Sequence, residues 1–512
     1  MRTKIIAIAT CTIFLIVSCY KDQGNYEYLP IEEIAINGIN ENYSGYSLEE
    51  TISIVPNIDT KIDEKNLEYL WMVYPKQNST VAEIDTIGDK KDLNYSLNIP
   101  QGDYILTFQV KNKTNNYIVS KSTNLQSTTR FARGFYVLKE TNIGETDLDL
   151  HINDMNKAED LIIRTEGHSM PGKPTNLGIN FGYSFIDNKV QKMVGGKVIV
   201  PMTTLEARTL RINDMQQIYG YQDMFFEDKN TNEVPYFFNR IGYTTYMVTS
   251  QGIYSTVSMP EFGLYTSGKF GIATQPAGIS PYIVKCQQAS SLFYFDSSGK
   301  RFLATDRNGA IHEFSDDGKI ATPNQIPHSC LFMGSFHHSS IGSRITAIFQ
   351  SNTDINQRLL YSINYKNSNF SNPIEKVITL REDLASSKAS RYATNGKDVR
   401  ILYSVSSKNE IYAYNIDTEQ EIKLTPDSFP LDEEVTYIAH KYWNGANDAT
   451  NRFNYLVLAT FKDGRYRLFL YNMLGGQPTG APAMVLEGKG KVKDVQYALP
   501  TFDYSKDEIN YM

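Results

Sequence analysis

Residues 291–318 read SLFYFDSSGKRFLATDRNGAIHEFSDDG, short apolar runs separated by Ser298-Gly299, Asn308-Gly309 and Asp317-Gly318. Alternation through Arg301-Phe302-Leu303-Ala304-Thr305 marks strands. Each Gly-containing pair supplies residues tolerant of the positive φ that a tight hairpin turn needs. The stretch therefore predicts antiparallel hairpins, and similar ones recur over 245–255, 345–365, 399–415 and 455–472, the last with its own Asp463-Gly464 turn. Four-stranded units repeating every roughly 45–55 residues predict a β-propeller. Over 134–512 that period gives about seven blades, with six or eight as neighbouring solutions. Neither a WD dipeptide nor a kelch double glycine stands in register, so a β-helix or several sandwiches remain alternative architectures. The run Val492-Lys493-Asp494-Val495-Gln496-Tyr497-Ala498 alternates and is expected to pair with an early strand, closing the ring and removing an exposed sheet edge. Residues 203–215 and 380–391 read as short helices between blades.

Composition agrees with an all-β chain. Of 512 residues, 35 are Tyr and 25 Phe against 2 Trp, a usage that favours strands. The formal charge is −7, from 50 Lys+Arg and 57 Asp+Glu; that balance excludes a nucleic acid partner bound through a basic face. Upstream of the repeats, residues 31–130 alternate short β-type runs with turns, near the ~100 residues of a sandwich domain, with Trp71 as the expected core anchor. The domain plan is therefore residues 1–19 as a signal segment, 20–30 as a tether, 31–130 as an immunoglobulin-like sandwich and 134–512 as the propeller.

Residues 1–19 set the compartment. Arg2 and Lys4 make a basic head, residues 5–17 an apolar run, and Ser18-Cys19 a small-residue end; this is a secretory signal, too short for a membrane span. Ile16-Val17-Ser18-Cys19 resembles a bacterial lipobox, which implies lipidation of Cys19 and a membrane partner through that anchor. Lys21-Asp22 loosely resembles the signal that sends some Gram-negative lipoproteins to the outer face, although Gln23 stands where a second acidic residue is usual. Outer-membrane, cell-surface attachment is the expectation, with the periplasmic face as the alternative. Once Cys11 leaves with the signal, Cys286 and Cys330 remain beyond the anchor. In an oxidising compartment they either pair, closing a loop of about 44 residues worth roughly 4 kcal/mol in the chain-entropy model, or stay as two buried thiols.

Two segments are candidates for chemistry. In Glu145-Thr146-Asp147-Leu148-Asp149-Leu150-His151, a strand would put Asp147, Asp149 and His151 on one face, within reach of a metal ion. The competing expectation is a solvated strand face opposite Leu148 and Leu150. The second segment runs from His440 through Tyr442, Trp443, Asn444, Asn447 and Asp448 to Arg452. Exposed rings beside amides and a carboxylate would form a carbohydrate platform, against the alternative that Trp443 folds back onto the propeller and the polar residues only make turns. No nucleophile elbow, zinc-protease helix, phosphate loop or dinucleotide fingerprint occurs, so no catalytic residue and no cofactor is assigned.

Glu68-Tyr69-Leu70-Trp71-Met72-Val73 and Gly102-Asp103-Tyr104-Ile105-Leu106-Thr107-Phe108-Gln109-Val110 resemble the Y-x-W and G-x-Y-x-L-x-x-x-V strands of a PKD-type domain, without that family's usual Gly-Asp-Gly turn. Together with the Cys-Tyr-Lys-Asp opening, Asp85-Thr86-Ile87-Gly88 and Arg133-Gly134-Phe135-Tyr136-Val137-Leu138, the chain resembles the PKD-like lipoproteins of Gram-negative gut-type bacteria. The resemblance implies a role in the capture or handling of an external nutrient and brings no catalytic residues; with the lipobox, the modular order and the lack of a catalytic signature, the expectation is a non-enzymatic protein that captures a glycan or a peptide or scaffolds an outer-membrane uptake complex. The alternative is a propeller glycoside hydrolase or lyase with Asp147 or Asp149 at the central funnel, which would need two carboxyls roughly 5–10 Å apart.

Overall fold

The computed structural model describes residues 33–499 and Phe502, apart from 48–49, 77–83, 100, 189–190, 230–231, 275–277, 287–290, 307–308, 339–341, 366–369, 398 and 446–450. The lipobox Cys19 and the tether lie outside the described residues. The chain divides into two compact units, Met1–Thr128 and Thr129–Met512.

In the first unit a five-stranded sheet runs in the order Asn42–Tyr46, Ile118–Thr128, Gly102–Asn112, Leu67–Pro75, Asp85–Gly88, accompanied by the pairs Thr51–Ile54 with Leu93–Ser96 and Ala35–Asn37 with Asn57–Asp59. Alternation explains its core. Trp71 and Val73 on one strand and Leu106, Phe108 and Val110 on its neighbour all point inward and are buried. Trp71 stacks on Phe108 at 4.4 Å, and its indole N–H donates to the Lys90 carbonyl at 3.1 Å. A buried indole needs such an acceptor.

The second unit is a ring of antiparallel sheets. Blade 2 is Pro174–Asp187, Lys192–Thr203, Thr209–Arg211 and Gln217–Tyr219; blade 3 is Pro235–Ile241, Thr244–Thr249 and Gly252–Val257. Blade 4 is Ile279–Cys286, Ser291–Asp296, Arg301–Thr305 and Ile311–Glu313; blade 5 is Ser329–His338, Gly342–Gln350, Arg358–Tyr365 and Ile374–Thr379. Blade 6 is Arg391–Thr394, Ile401–Val405, Ile411–Asn415 and Gln420–Leu424; blade 7 is Glu434–Trp443, Phe453–Lys462, Arg465–Leu474 and Met484–Lys489. Blade 1 mixes both ends of the unit: Gly134–Glu140, Thr146–His151 and Lys157–Ala158, with the C-terminal Lys491–Ala498 as its innermost strand. The innermost strands neighbour one another in order round the ring, and that of blade 7 returns to Lys491–Ala498.

Each blade is covered on both faces, so its middle strands are apolar on both. Leu292 and Tyr294 pack toward blade 3, while Phe293 and Phe295, one residue out of phase, pack toward blade 5. Leu402 and Tyr414 face blade 5, and Tyr403 and Ala413 face blade 7. The Asp463-Gly464 turn has φ of 51° and 78°, the pair of positive values that a type I′ hairpin turn requires.

Two expectations need correction, and Cys286 and Cys330 take one of the two alternatives left for them. Residues 203–215 are not a helix: Thr209–Arg211 pairs with blade 2. Residues 380–391 contain only the 3-10 turn Ala385–Lys388, whose Ala385 and Ser386 amides donate to the Glu421 carboxylate at 2.7 and 2.9 Å. Cys286 and Cys330 are free thiols. Each sulfur faces a carbonyl two residues away on its own strand, and burial pushes both up to about 12. Among the described residues no helix is long and apolar enough to cross a membrane.

Ring closure rests on Val495, which is wholly buried opposite Val137. Val495→Asp places an unpaired charge in that layer and is expected to lower unfolding stability by at least about 3 kcal/mol. A urea titration followed by far-UV circular dichroism checks this.

Candidate functional site

The innermost strands of a propeller border its axis, and here their first residues enclose a cavity of about 940 Å³ to which every blade contributes. Blade 2 supplies Lys173 to Asn176, blade 3 Tyr236, blade 4 Tyr282, blade 5 Leu331 and Phe332, blade 6 Arg391 and Tyr392, blade 7 Thr436 to Ile438, and blade 1 Lys491 to Asp494. Farther along the same strands a second cavity of about 320 Å³ is lined by Asn239, Lys285, Ser335, Thr394, Lys441 and Gln496 among others. Phe332, Tyr392 and Ile438 border both cavities. They form the waist of one axial channel.

The waist is aromatic. Phe332 lies 5.9 Å from Tyr392 and 6.3 Å from Tyr282, ring centre to ring centre. Desolvation raises the Tyr282 hydroxyl and pushes that of Tyr392 up to about 12, as expected for groups removed from water.

Charge is distributed unevenly. Seven basic side chains and two acidic ones line the two cavities, in a chain whose formal charge is −7. Both acids are engaged. Glu140 meets Lys173 at 3.4 Å, and Asp494 accepts from the Leu177 amide at 3.0 Å, the Val495 amide at 2.8 Å and the Tyr437 hydroxyl at 3.2 Å. At the mouth Lys491 pairs with Glu434 at 2.7 Å, and Arg391 donates to the Thr436 carbonyl at 2.8 Å. Lys493 is exposed there. Below the waist Lys441 has no hydrogen bond or ion pair to another described residue, and desolvation lowers its pKa despite the field of Asp494.

The structure places the sequence candidates elsewhere. Tyr442 and Trp443 are buried, not exposed. Trp443 stacks toward Phe502, and a Cβ at Gly445 would run into its indole. The platform expectation is overturned for these two because the strand Glu434–Trp443 continues through them and both of its faces are covered there. Asn444 is exposed; Asn447 and Asp448 lie outside the described residues.

Asp147, Asp149 and His151 do share a strand, but its whole length is buried, neither solvated nor open to a metal. Asp149 is paired with Lys139 at 2.6 Å and accepts from the Tyr466 hydroxyl at 2.8 Å, and His151 Nε2 meets the same hydroxyl at 2.7 Å. Asp147 accepts from the amides of Leu148 and Ile162 at 2.7 and 2.9 Å. Asp149 is thus taken by protein groups and Asp147 by two amides at one oxygen, its other oxygen being buried with no hydrogen bond, and among the described residues no three His, Cys, Asp or Glu gather to hold a metal. Neither aspartate lines the channel, so the funnel-carboxylate role is overturned too. Of the residues that do line it, His440 and Lys441 open the second candidate segment, whereas Phe332, Tyr392 and Arg391 are marked by no sequence motif. The available signal was charge inside strand text: Arg391-Tyr392-Ala393-Thr394 and His440-Lys441-Tyr442.

Residues 19–174 match the PKD-like family. No curated protein matches the chain in sequence. Among solved structures it is similar to a quinonprotein alcohol dehydrogenase-like protein from Bacteroides thetaiotaomicron, with TM-score 0.40 and 13% identity over 90% of this chain and 97% of the other. It is also similar to a DUF4784 family protein from Bacteroides caccae, with TM-score 0.33 and 7% identity over 77% and 95%. The Aleuria aurantia lectin gives 0.27 and 12% over 60% and 97%. The blade assignment above rests on strand pairing in this chain, independently of these likenesses.

The buried acid and imidazole oppose each other in pH dependence. Burial raises Asp147 to about 6, so between roughly pH 4 and 6 the folded state keeps a proton that the unfolded chain has lost, and stability falls as pH rises. Burial lowers His151 to about 4, so over roughly pH 4 to 6.5 the unfolded chain binds the extra proton and stability rises with pH. The two slopes, each near 3 kcal/mol over its window, largely cancel. Asp147→Asn should expose the rising slope and His151→Gln the falling one, relative to the parent, in urea midpoints measured at pH 4, 5 and 6.5.

Proposed function

We propose that this protein, PKD-like over residues 19–174, is a cell-envelope binding protein. It is anchored to the outer membrane by a lipid on Cys19, and it captures an external nutrient, a glycan or a peptide, in the axial channel of its propeller. The observation that carries the proposal is the channel itself. It has contributions from every blade, a ring-lined waist at Phe332 and Tyr392, and hydrogen-bonding side chains on either side. Concave sites of this kind, apolar faces with a few placed polar groups, are where small ligands bind. Neither carboxylate in the channel is free for acid or base work: Asp494 holds three hydrogen bonds and Glu140 an ion pair. That favours capture over hydrolysis.

Two outcomes check the proposal. In a calorimetric screen of the chain from residue 20 onward against neutral and acidic oligosaccharides and short peptides, at least one class binds. Phe332→Ala then weakens that binding by tenfold or more while leaving the melting temperature within a few degrees. Absence of binding to every member of the panel would sink the capture reading. Separately, Cys19→Ser expressed in a Gram-negative host should move the protein from the membrane to the soluble fraction and abolish incorporation of labelled palmitate. An unchanged membrane fraction with no label in the parent would contradict the anchor.

A further inference from the structure

The channel has a polarity that the capture reading does not use. Its mouth pairs most of its charges: Lys173 with Glu140, and Lys491 and Arg391 with Glu434. Below the waist the lining contains Lys285 and Lys441 and no carboxylate. Lys441 is half-buried on the innermost strand of blade 7 and makes no hydrogen bond or ion pair to another described residue, only the longer-range field of Asp494 reaching it. Asn239 and Gln496, on the innermost strands of blades 3 and 1, face the same section and likewise have no side-chain hydrogen bond to another described residue. An ammonium held out of water without a hydrogen-bonding acceptor costs free energy, and Asp494, the carboxylate whose field reaches it, is already held by three hydrogen bonds from other groups. Desolvation acting on Lys441 is the electrostatic sign of that cost.

We propose, resting on the capture reading, that the channel's ligand is an acidic oligosaccharide, whose carboxylate reaches Lys441 while a neighbouring sugar face lies on Phe332 and Tyr392. A carboxylate supplies the acceptor that Lys441 lacks, in a partly desolvated site where a charge-assisted hydrogen bond is strong. Sugar hydroxyls both donate and accept, which suits the unpaired amides of Asn239 and Gln496. The apolar faces of sugar rings suit the waist. A peptide of the same charge offers fewer groups for those amides and no flat apolar faces in series, so it is the competing occupant.

The test uses the chain from residue 20 onward and three probes in calorimetry at 50 mM and 500 mM NaCl: hexagalacturonate, a neutral hexasaccharide and hexaglutamate. The expected result is that hexagalacturonate binds at least tenfold more tightly than either other probe, and less tightly at high salt. Lys441→Gln should remove about tenfold of that affinity and leave melting unchanged, while Lys493→Gln, at the exposed mouth, should change it much less. If the neutral hexasaccharide binds equally well and Lys441→Gln has no effect, the acidic-ligand inference falls and capture stands. Preferential binding of hexaglutamate overturns the sugar assignment. Binding of none of the three overturns the inference, and the capture reading falls with it only if the wider panel is also blank.

Discussion

Everything in the second unit depends on one pairing, Lys491–Ala498 against Gly134–Glu140. A linear array of blades would leave an unpaired strand edge at each end and an apolar face uncovered, both liabilities in water. Here Lys491–Ala498, the last strand among the described residues, becomes the innermost strand of the first blade, so the two ends of the ring are joined by main-chain hydrogen bonds. The pairing also sets the channel, because Lys493 and Asp494 reach its lining only through it. Gly490 is needed at the start of that strand: its φ is 92°, and a Cβ would run into the Glu140 carbonyl.

Behind the pairing lies the cluster of Lys139, Asp149, His151 and Tyr466. Lys139, Asp149 and His151 belong to blade 1 and Tyr466 to blade 7. Burying such a pair does not by itself stabilise, since desolvation offsets much of the attraction. It does make one docking of blade 7 on blade 1 far better than a slipped one, because a shift would strand a buried charge. Register at the joint where the two ends of the unit meet is therefore fixed by polar groups, whereas the junctions between blades 3 and 4 and between blades 4 and 5 are filled by apolar layers.

The same packing explains which parts of the fold were legible. The hairpins read from sequence at 292–314, 345–365, 399–415 and 455–472 contain the middle strands of blades 4 to 7, where both faces are covered and the text is nearly continuous in apolar residues. Turn pairs such as Asp463-Gly464 punctuate them. Blade 1 could be anticipated only in part: the alternation of Val492 to Ala498 announced a closing strand, but nothing in the sequence says that Leu148 and Leu150 share a strand with buried rather than solvated aspartates. Alternation specifies two faces and leaves open what covers each. The same ambiguity misplaced Trp443, whose neighbours Asn444 and Gly445 read as a loop although the ring itself ends a strand and turns into the core.

The channel was illegible for a related reason. An innermost strand has one edge toward the axis, and the residues there are spread a few per blade over more than 300 positions of sequence, from Glu140 to Gln496. No local motif marks them. What does mark them is a mismatch between strand text and charge: Arg391 and Lys441 stand in β-segments that otherwise serve the core. Strand interiors tolerate a lysine only if its head reaches water, a partner or a ligand. Arg391 and Lys441 are themselves half-buried, Arg391 at the mouth and Lys441 below the waist, in strands whose neighbouring residues pack between blades. Concentrating positive charge on the axis of a chain that is acidic as a whole raises the local concentration of anions inside the ring while the outer surface stays soluble. That division between exterior and axis is the physical ground on which a binding role is more economical than a structural one.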